Sequence, residues 1–201
     1  MASAIDFYFD FSSPYGYFAA MRIDALAARY GRHVEWHPIL LGVVFKTTGG
    51  SALPLLPLKG PYALHDFERT ARFHGIPFKL PAAFPLATQG AARAMLWVHS
   101  HHGIERAIAF AKAVYTAYFA EGVNIGEPMN VVQIGTELGL DPHALATGMD
   151  SAPIRDQLKA EIKLALARDV FGSPFVIIDG EAFWGFDRLE QMEALLKNGT
   201  I

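Results

Sequence analysis

The 201-residue chain contains no cysteine. That absence excludes a disulfide framework, a thiolate metal site, a cysteine nucleophile and any thiol redox couple of the protein's own, so sulfur chemistry has to arrive with a ligand. Charge of one sign is also lacking: 17 Lys and Arg stand against 20 Asp and Glu, a net charge of −3, interspersed rather than in blocks. Neither an electrostatic nucleic-acid surface nor a polybasic membrane patch is visible, and small-molecule partners fit better. Long apolar runs are missing too. Arg106 and Lys112 interrupt the stretch 104–119, and the opening "MASAIDFYFDF" has no basic segment followed by a long apolar one. The expectation is a soluble, cytoplasmic protein.

What is present reads as strand, helix, strand, then many helices, then a hairpin and a last helix. The run "AIDFYFDF" has strand character and leads into a helix expected from Pro14 to Tyr30, stopped by Gly31. Alternation through Val34, Trp36 and Ile39 gives a second strand, and a βαβ unit of this length predicts parallel pairing. From Leu41 to Leu58 the Gly, Thr and Pro content predicts a loop. Helical patterns follow, ending at Gly75 and Gly103, and continue through "IERAIAFAKAVYTAYFAEG", "NVVQIGTELG" and "APIRDQLKAEIKLALARDV". No internal repeat appears, which argues for a helical insertion rather than a solenoid. Near the end, Asp179-Gly180 between two apolar runs predicts a tight antiparallel hairpin. Asp187 and Glu190 then have capping-box spacing before a helix whose apolar face is Leu189, Met192, Leu195 and Leu196.

The stretch "FYFDFSSPYGYFAA" raises a chemical question. Pro14 suits the first helical position, so Ser13 becomes the N-cap, with Ser12 as the alternative. One reading is a well-capped helix after the first strand. The other is an anion or thiolate site, because a helix start presents free N–H groups. Among the remaining candidates, His99 and His102 are three apart before Gly103. No carboxylate supports them at close spacing, and histidines at a helix C-terminus complement its dipole, so no metal is expected.

The element order, with a proline at the start of the third strand, resembles a thioredoxin fold with a large helical insertion, as in DsbA-like proteins. In those terms 1–44 and 170–201 form the thioredoxin-like domain and 45–169 the helical insertion. "DFSSPYGY" stands where a redox member carries paired cysteines. Together with "FKTTGG", "LKGPY", "FGSPF" and "FWGFDRL", it resembles the 2-hydroxychromene-2-carboxylate isomerase family and its relatives, the kappa-class glutathione transferases, along nearly the whole chain.

This resemblance implies glutathione as cofactor, an acidic aromatic substrate and a homodimer. It implies that Ser13 holds the sulfur, and that Ser173, before a cis Pro174, offers backbone to the cysteinyl part. Phe186, Asp187 and Arg188 would meet the γ-glutamyl end, with Asp187 facing its ammonium. Lys59 corresponds to a lysine near the glycyl carboxylate, and Lys46 to one that meets an acidic substrate. Two positions depart from the family pattern, which commonly has Asn where Gly50 and Ala87 stand.

Simple energetics agree with the role of Ser13. Moving a thiol from a pKa of about 8.5 to near 7 takes roughly 2 to 3 kcal/mol. A helix N-terminus supplies about 0.3 to 1 kcal/mol, up to about 2 when partly buried, and a hydroxyl donating to an anion roughly 1.5 to 3. A serine nucleophile would need a positioned base, and no G-x-S-x-G elbow suggests one. The expected activity is glutathione-dependent isomerisation. The alternatives are a kappa-like transferase and a redox-inactive binding protein on the same scaffold.

Overall fold

The computed structural model describes residues 4–201. Its sheet has the order β2-β1-β3-β4, formed by β1 (Ile5–Phe9), β2 (Val34–Pro38), β3 (Phe175–Ile178) and β4 (Glu181–Trp184). β1 and β2 are parallel, with Ile5 opposite Val34 and Phe9 opposite Pro38. β1 and β3 are antiparallel, as are β3 and β4. The C-terminal ends of β1, β2 and β4 therefore meet the start of β3 at one edge of the sheet. Period-two alternation sends Phe7, Phe9, Val176 and Ile178 into one core and Tyr8, Phe175 and Ile177 into the other. The hairpin turn forms as expected, with Asp179 at φ 52° and Gly180 at φ 90°.

The expected first helix is two helices. α1 (Pro14–Ala20) and α2 (Ile23–Arg29) are separated by a tightened turn in which the Arg22 N–H bonds the Ala19 carbonyl, one residue short of the α pattern. The turn lets α1 bury Tyr17 and Phe18 while α2 buries Ile23 and Leu26. The expected loop after β2 is also corrected. It contains α3 (Leu41–Thr48), ended by Gly49 at φ 72°, and a short 3-10 turn at Leu53–Leu55. Its start is fixed from a distance, because the Leu41 N–H donates to the Asp10 carboxylate at 2.6 Å.

Helices α4 (Lys59–His74), α5 (Gln89–His102) and α6 (Ile104–Thr116) follow the sequence pattern, and a π turn extends α6 over Ala117–Glu121. After α7 (Pro128–Glu137) comes α8 (Pro142–Met149), which the sequence reading missed, and α9 (Ala152–Ala167) returns the chain to the sheet. Asp141 caps α8, accepting from the Ala144 N–H. The last helix, α10 (Leu189–Asn198), is preceded by a 3-10 turn at Phe186–Arg188, and Asp187 makes no capping bond to it. Gly185, at φ 112°, keeps the chain turning there, so the capping-box spacing falls inside the turn instead of at the helix start.

Candidate functional site around Ser13

Ser13 caps α1 as the Pro14 position dictates. Its backbone is extended at φ −97° and its Oγ accepts from the Gly16 N–H at 3.0 Å. The hydroxyl hydrogen is also engaged, since Oγ donates to the Ser173 carbonyl at 2.8 Å. Ser13 and Ser173 are thus brought together from opposite ends of the chain, 5% and 8% exposed, and the Ser173–Pro174 peptide is cis. The Ser173 carbonyl is accordingly not free. The Ser173 side chain is engaged as well, with Oγ accepting from the Asp10 N–H at 3.0 Å.

The backing is tight. A Cβ on Gly16 would lie 2.8 Å from both Ser173 Oγ and Tyr115 Oη and 3.0 Å from Ser13 Cβ, so only glycine lets α1 approach this closely. Tyr115 donates to the Asp10 carbonyl at 2.8 Å, and burial pushes its own phenol well up. Ser12 does not cap; its Oγ accepts from the Leu86 N–H at 3.2 Å. The helix dipole is weaker than a single long helix would give, because α1 has only seven residues. Pro14 has no N–H, and that of Gly16 is already taken, which leaves the Tyr15 N–H and the Ser13 hydroxyl as the donors at this helix start.

Other sequence-predicted residues lie on adjoining elements. The Gly185 N–H bonds the Pro174 carbonyl at 3.1 Å, which sets the turn Phe186–Arg188 beside the cis-proline. Phe186 is buried against Phe18 and His74, which suits a packing role for its ring. Asp187 is exposed and pairs with Arg188 at 3.0 Å. Tyr15, two residues after Ser13, bonds the Asp66 carboxylate of α4. Burial, then Asp66, and more weakly Tyr62 and Asp187, push its phenol up.

Lys59 is the first residue of α4, after Leu58, which stands at φ 64° with its side chain 91% exposed. Lys46 is exposed in the last turn of α3. Among the described residues neither lysine makes an ion pair, and neither is hydrogen-bonded to Ser13. At Gly50, a Cβ would come within 2.8 Å of the Phe45 ring, so the room for a family Asn side chain is partly taken by Phe45. His101 bonds the Trp97 carbonyl and stacks on its ring. Among the described residues no three His, Asp or Glu side chains converge as a metal would need.

The residue the sequence reading passed over is Asp10. Its carboxylate, 4% exposed, gathers donors from three segments. The visible signal was the Asx-type turn of "DFSS", in which Asp10 Oδ1 accepts from the Ser12 N–H at 2.8 Å.

Comparison with known proteins shows the family to which the chain belongs. A family model described as the DSBA-like thioredoxin domain matches residues 4–197. A 2-hydroxychromene-2-carboxylate isomerase of Sphingobium xenophagum is 30% identical over 199 residues, 98% of this chain and 99% of its own. Glutathione S-transferase kappa 1 of Caenorhabditis elegans is 25% identical over 205 residues, 96% of this chain and 90% of its own. Among solved structures, a 2-hydroxychromene-2-carboxylate isomerase superposes with a TM-score of 0.87 at 29% identity, covering 97% of this chain and 95% of that one. The chain belongs to the DSBA-like thioredoxin family and, within it, to the family of the 2-hydroxychromene-2-carboxylate isomerases.

Proposed function

We propose that the protein is a glutathione-dependent isomerase of 2-hydroxychromene-2-carboxylate or a similar aromatic acid, acting in aromatic-compound degradation. The observation that carries this reading is the buried Ser13–Ser173 pair beside the cis-proline, a hydroxyl donor and a backbone acceptor side by side. A cysteine-free chain has no thiol of its own to put there, and the pair fits a cysteinyl group, which brings one sulfur acceptor and one N–H donor. Relatives in the same family bear the isomerase and the kappa-transferase names.

When bound, glutathione supplies a thiolate that adds reversibly to the conjugated acceptor, so that the former double bond rotates as a single bond and glutathione is released unconsumed. Ser13 has the simpler task. The Gly16 N–H keeps its Oγ in place, so only the hydroxyl hydrogen turns, from the Ser173 carbonyl to the sulfur. That rotation frees the Ser173 carbonyl for the cysteinyl N–H, replacing the bond that is given up. Tyr115 and Gly16 close the back of the pair against water. Lys59, Pro174, Phe186, Asp187 and Arg188 are assigned to the rest of the tripeptide, and Lys46 to the substrate carboxylate. Each sits on an element that borders α1 or the cis-proline turn, or on α3, which Asp10 ties to the Ser13 loop.

Mass spectrometry of the product, with glutathione at sub-stoichiometric amounts, tests the reading. An unchanged substrate mass, altered absorbance and a constant thiol titre are expected. A glutathione adduct as end product would make the protein a kappa-like transferase instead. No turnover, and no binding of glutathione, would leave a redox-inactive binding protein. Ser13→Ala should lower turnover about tenfold or more through loss of a charge-assisted hydrogen bond, with a smaller effect on glutathione affinity.

A further inference from the structure

Asp10 is the buried titratable group that the chemistry above does not use. Its side chain accepts from the Ser12 N–H at 2.8 Å, the Thr88 hydroxyl at 2.7 Å and the Leu41 N–H at 2.6 Å. Those donors begin three different segments: the Ser12-Ser13 loop, helix α5 and helix α3. Its main chain is equally committed. The Asp10 N–H donates to Ser173 Oγ, and its carbonyl accepts from the Ser13 N–H at 2.9 Å and from Tyr115 Oη. One residue therefore touches both members of the Ser13–Ser173 pair and the helix starts on either side.

We propose that Asp10 is a positioning residue that holds the Ser13 hydroxyl and the Ser173 carbonyl in register for a peptide thiol, through the three hydrogen bonds its side chain gathers. The proposal rests on the reading of Ser13 as a thiolate donor. Two partners are backbone N–H groups that can only donate, so each carboxyl oxygen must accept, while the third is a hydroxyl, which can donate or accept. A proton on Oδ2 would face the Leu41 N–H, donor against donor. Burial pushes the Asp10 carboxyl up, and the Ser12, Leu41 and Thr88 bonds offset only part of that rise. Among the described residues no cation contributes, and the titratable groups that respond to Asp10 are Tyr115 of α6 and Tyr118 of the π turn. A buried carboxyl group held only by neutral donors is geometrically demanding, because losing any one donor leaves a desolvated polar oxygen without its partner. It is well suited to fixing three chain segments relative to one another, and it does not need to meet the ligand to matter.

The test uses Asp10→Asn, Thr88→Val and Thr88→Ser in the full chain, with two readouts. In the free protein, amide hydrogen exchange at Gly16, whose N–H is held by Ser13 Oγ, and at Leu41 reports the grip directly. Asp10→Asn turns one acceptor into a donor whichever way the amide lies, and exchange at both sites should speed up tenfold or more. With glutathione, thiolate absorbance near 240 nm and kcat should fall about tenfold, while affinity by calorimetry changes less than threefold. Thr88→Val should move the same quantities in the same direction by a smaller factor, and Thr88→Ser should restore them. Should Asp10→Asn fail to fold, the Thr88 pair decides alone. Wild-type exchange and wild-type kcat in Thr88→Val, or in a folded Asp10→Asn, would overturn the proposal. If wild-type protein shows no thiolate band, the glutathione reading fails, and the exchange data still decide whether Asp10 holds the Ser13–Ser173 pair.

Discussion

Gly16 shows how little tolerance the Ser13 pair has. Its N–H holds Ser13 Oγ, and its missing side chain is what lets Ser173 Oγ and Tyr115 Oη come close. Gly16→Ala replaces empty space with a methyl group at 2.8 Å from two oxygens, too near for ordinary contact, so α1 must shift away from the cis-proline turn. Helix propensity favours Ala over Gly by about 1 kcal/mol, whereas overpacking costs about 1 to 3 kcal/mol. A net loss of about 1 kcal/mol is expected in urea unfolding, with glutathione binding weakened more than that figure implies because the pair separates. A variant that is more stable and binds as before would show that the contact is slack. At this scale Ser13 and Pro174 were legible in the sequence, since proline at a helix start and a Ser-Pro at a strand start have local meanings. Asp10 was not: two of its side-chain donors lie 31 and 78 positions away, and no local pattern announces them.

Among elements, the hairpin at Asp179-Gly180 was legible because its turn chemistry is contained in two residues. Helix α3 was not, because its first N–H is satisfied from β1's end and its Gly-Thr composition resembles a loop. The split between α1 and α2 escaped for a related reason: the apolar pattern runs through it, and the Arg22–Ala19 turn carries no glycine or proline to announce it. The contact of α9 with the sheet leads to a pH prediction. His37 of β2 stands 3.2 Å from Glu161 of α9 and 3.0 Å from Asp6 of β1, stacked on Tyr8. Arg168, just past α9, binds Asp6 and the Tyr8 hydroxyl.

Burial opposes a charge on His37, yet Glu161 and Asp6 together outweigh it and raise the ring's pKa. A raised folded value means that the stabilisation is complete below the unfolded value of about 6.5 and is lost as pH rises through the folded one. For Asp6, burial raises the pKa, but Arg168 and His37 more than offset it. Its contribution is therefore present above about 3.8 and lost only as pH falls through the lowered value. Between pH 5 and 8.5, then, the stability difference between wild type and His37→Gln should be on the order of 1 kcal/mol at the acidic end and shrink toward the alkaline end. A difference independent of pH would mean that His37 is held neutral.

Across the whole molecule, the sheet segments and the long helical stretch between them are proposed as two parts of the architecture, 1–44 with 170–201 and 45–169. They do not have separate interiors. A run of aromatic contacts passes from Phe9 of β1 through Phe11 and Tyr115 to Phe119, Phe78 and Phe18, and one buried cluster takes in residues of β1, α1, α5, α6 and α8. The physical consequence is cooperative unfolding, so a ligand held at Ser13 should stabilise every part equally. Glutathione at a hundred times its dissociation constant should add about 2.7 kcal/mol, which for a chain of this size raises the melting temperature by roughly 5 to 10 °C. Scanning calorimetry should show one transition moving as a unit. S-methylglutathione keeps the peptide but cannot offer a thiolate, and should give a smaller shift; in Ser13→Ala the two ligands should become nearly equal. Two transitions, of which only one responds, would instead mean that the helical part unfolds on its own and that the aromatic run does not couple it to the sheet. No shift at all with millimolar glutathione would remove the cofactor and with it the isomerase assignment.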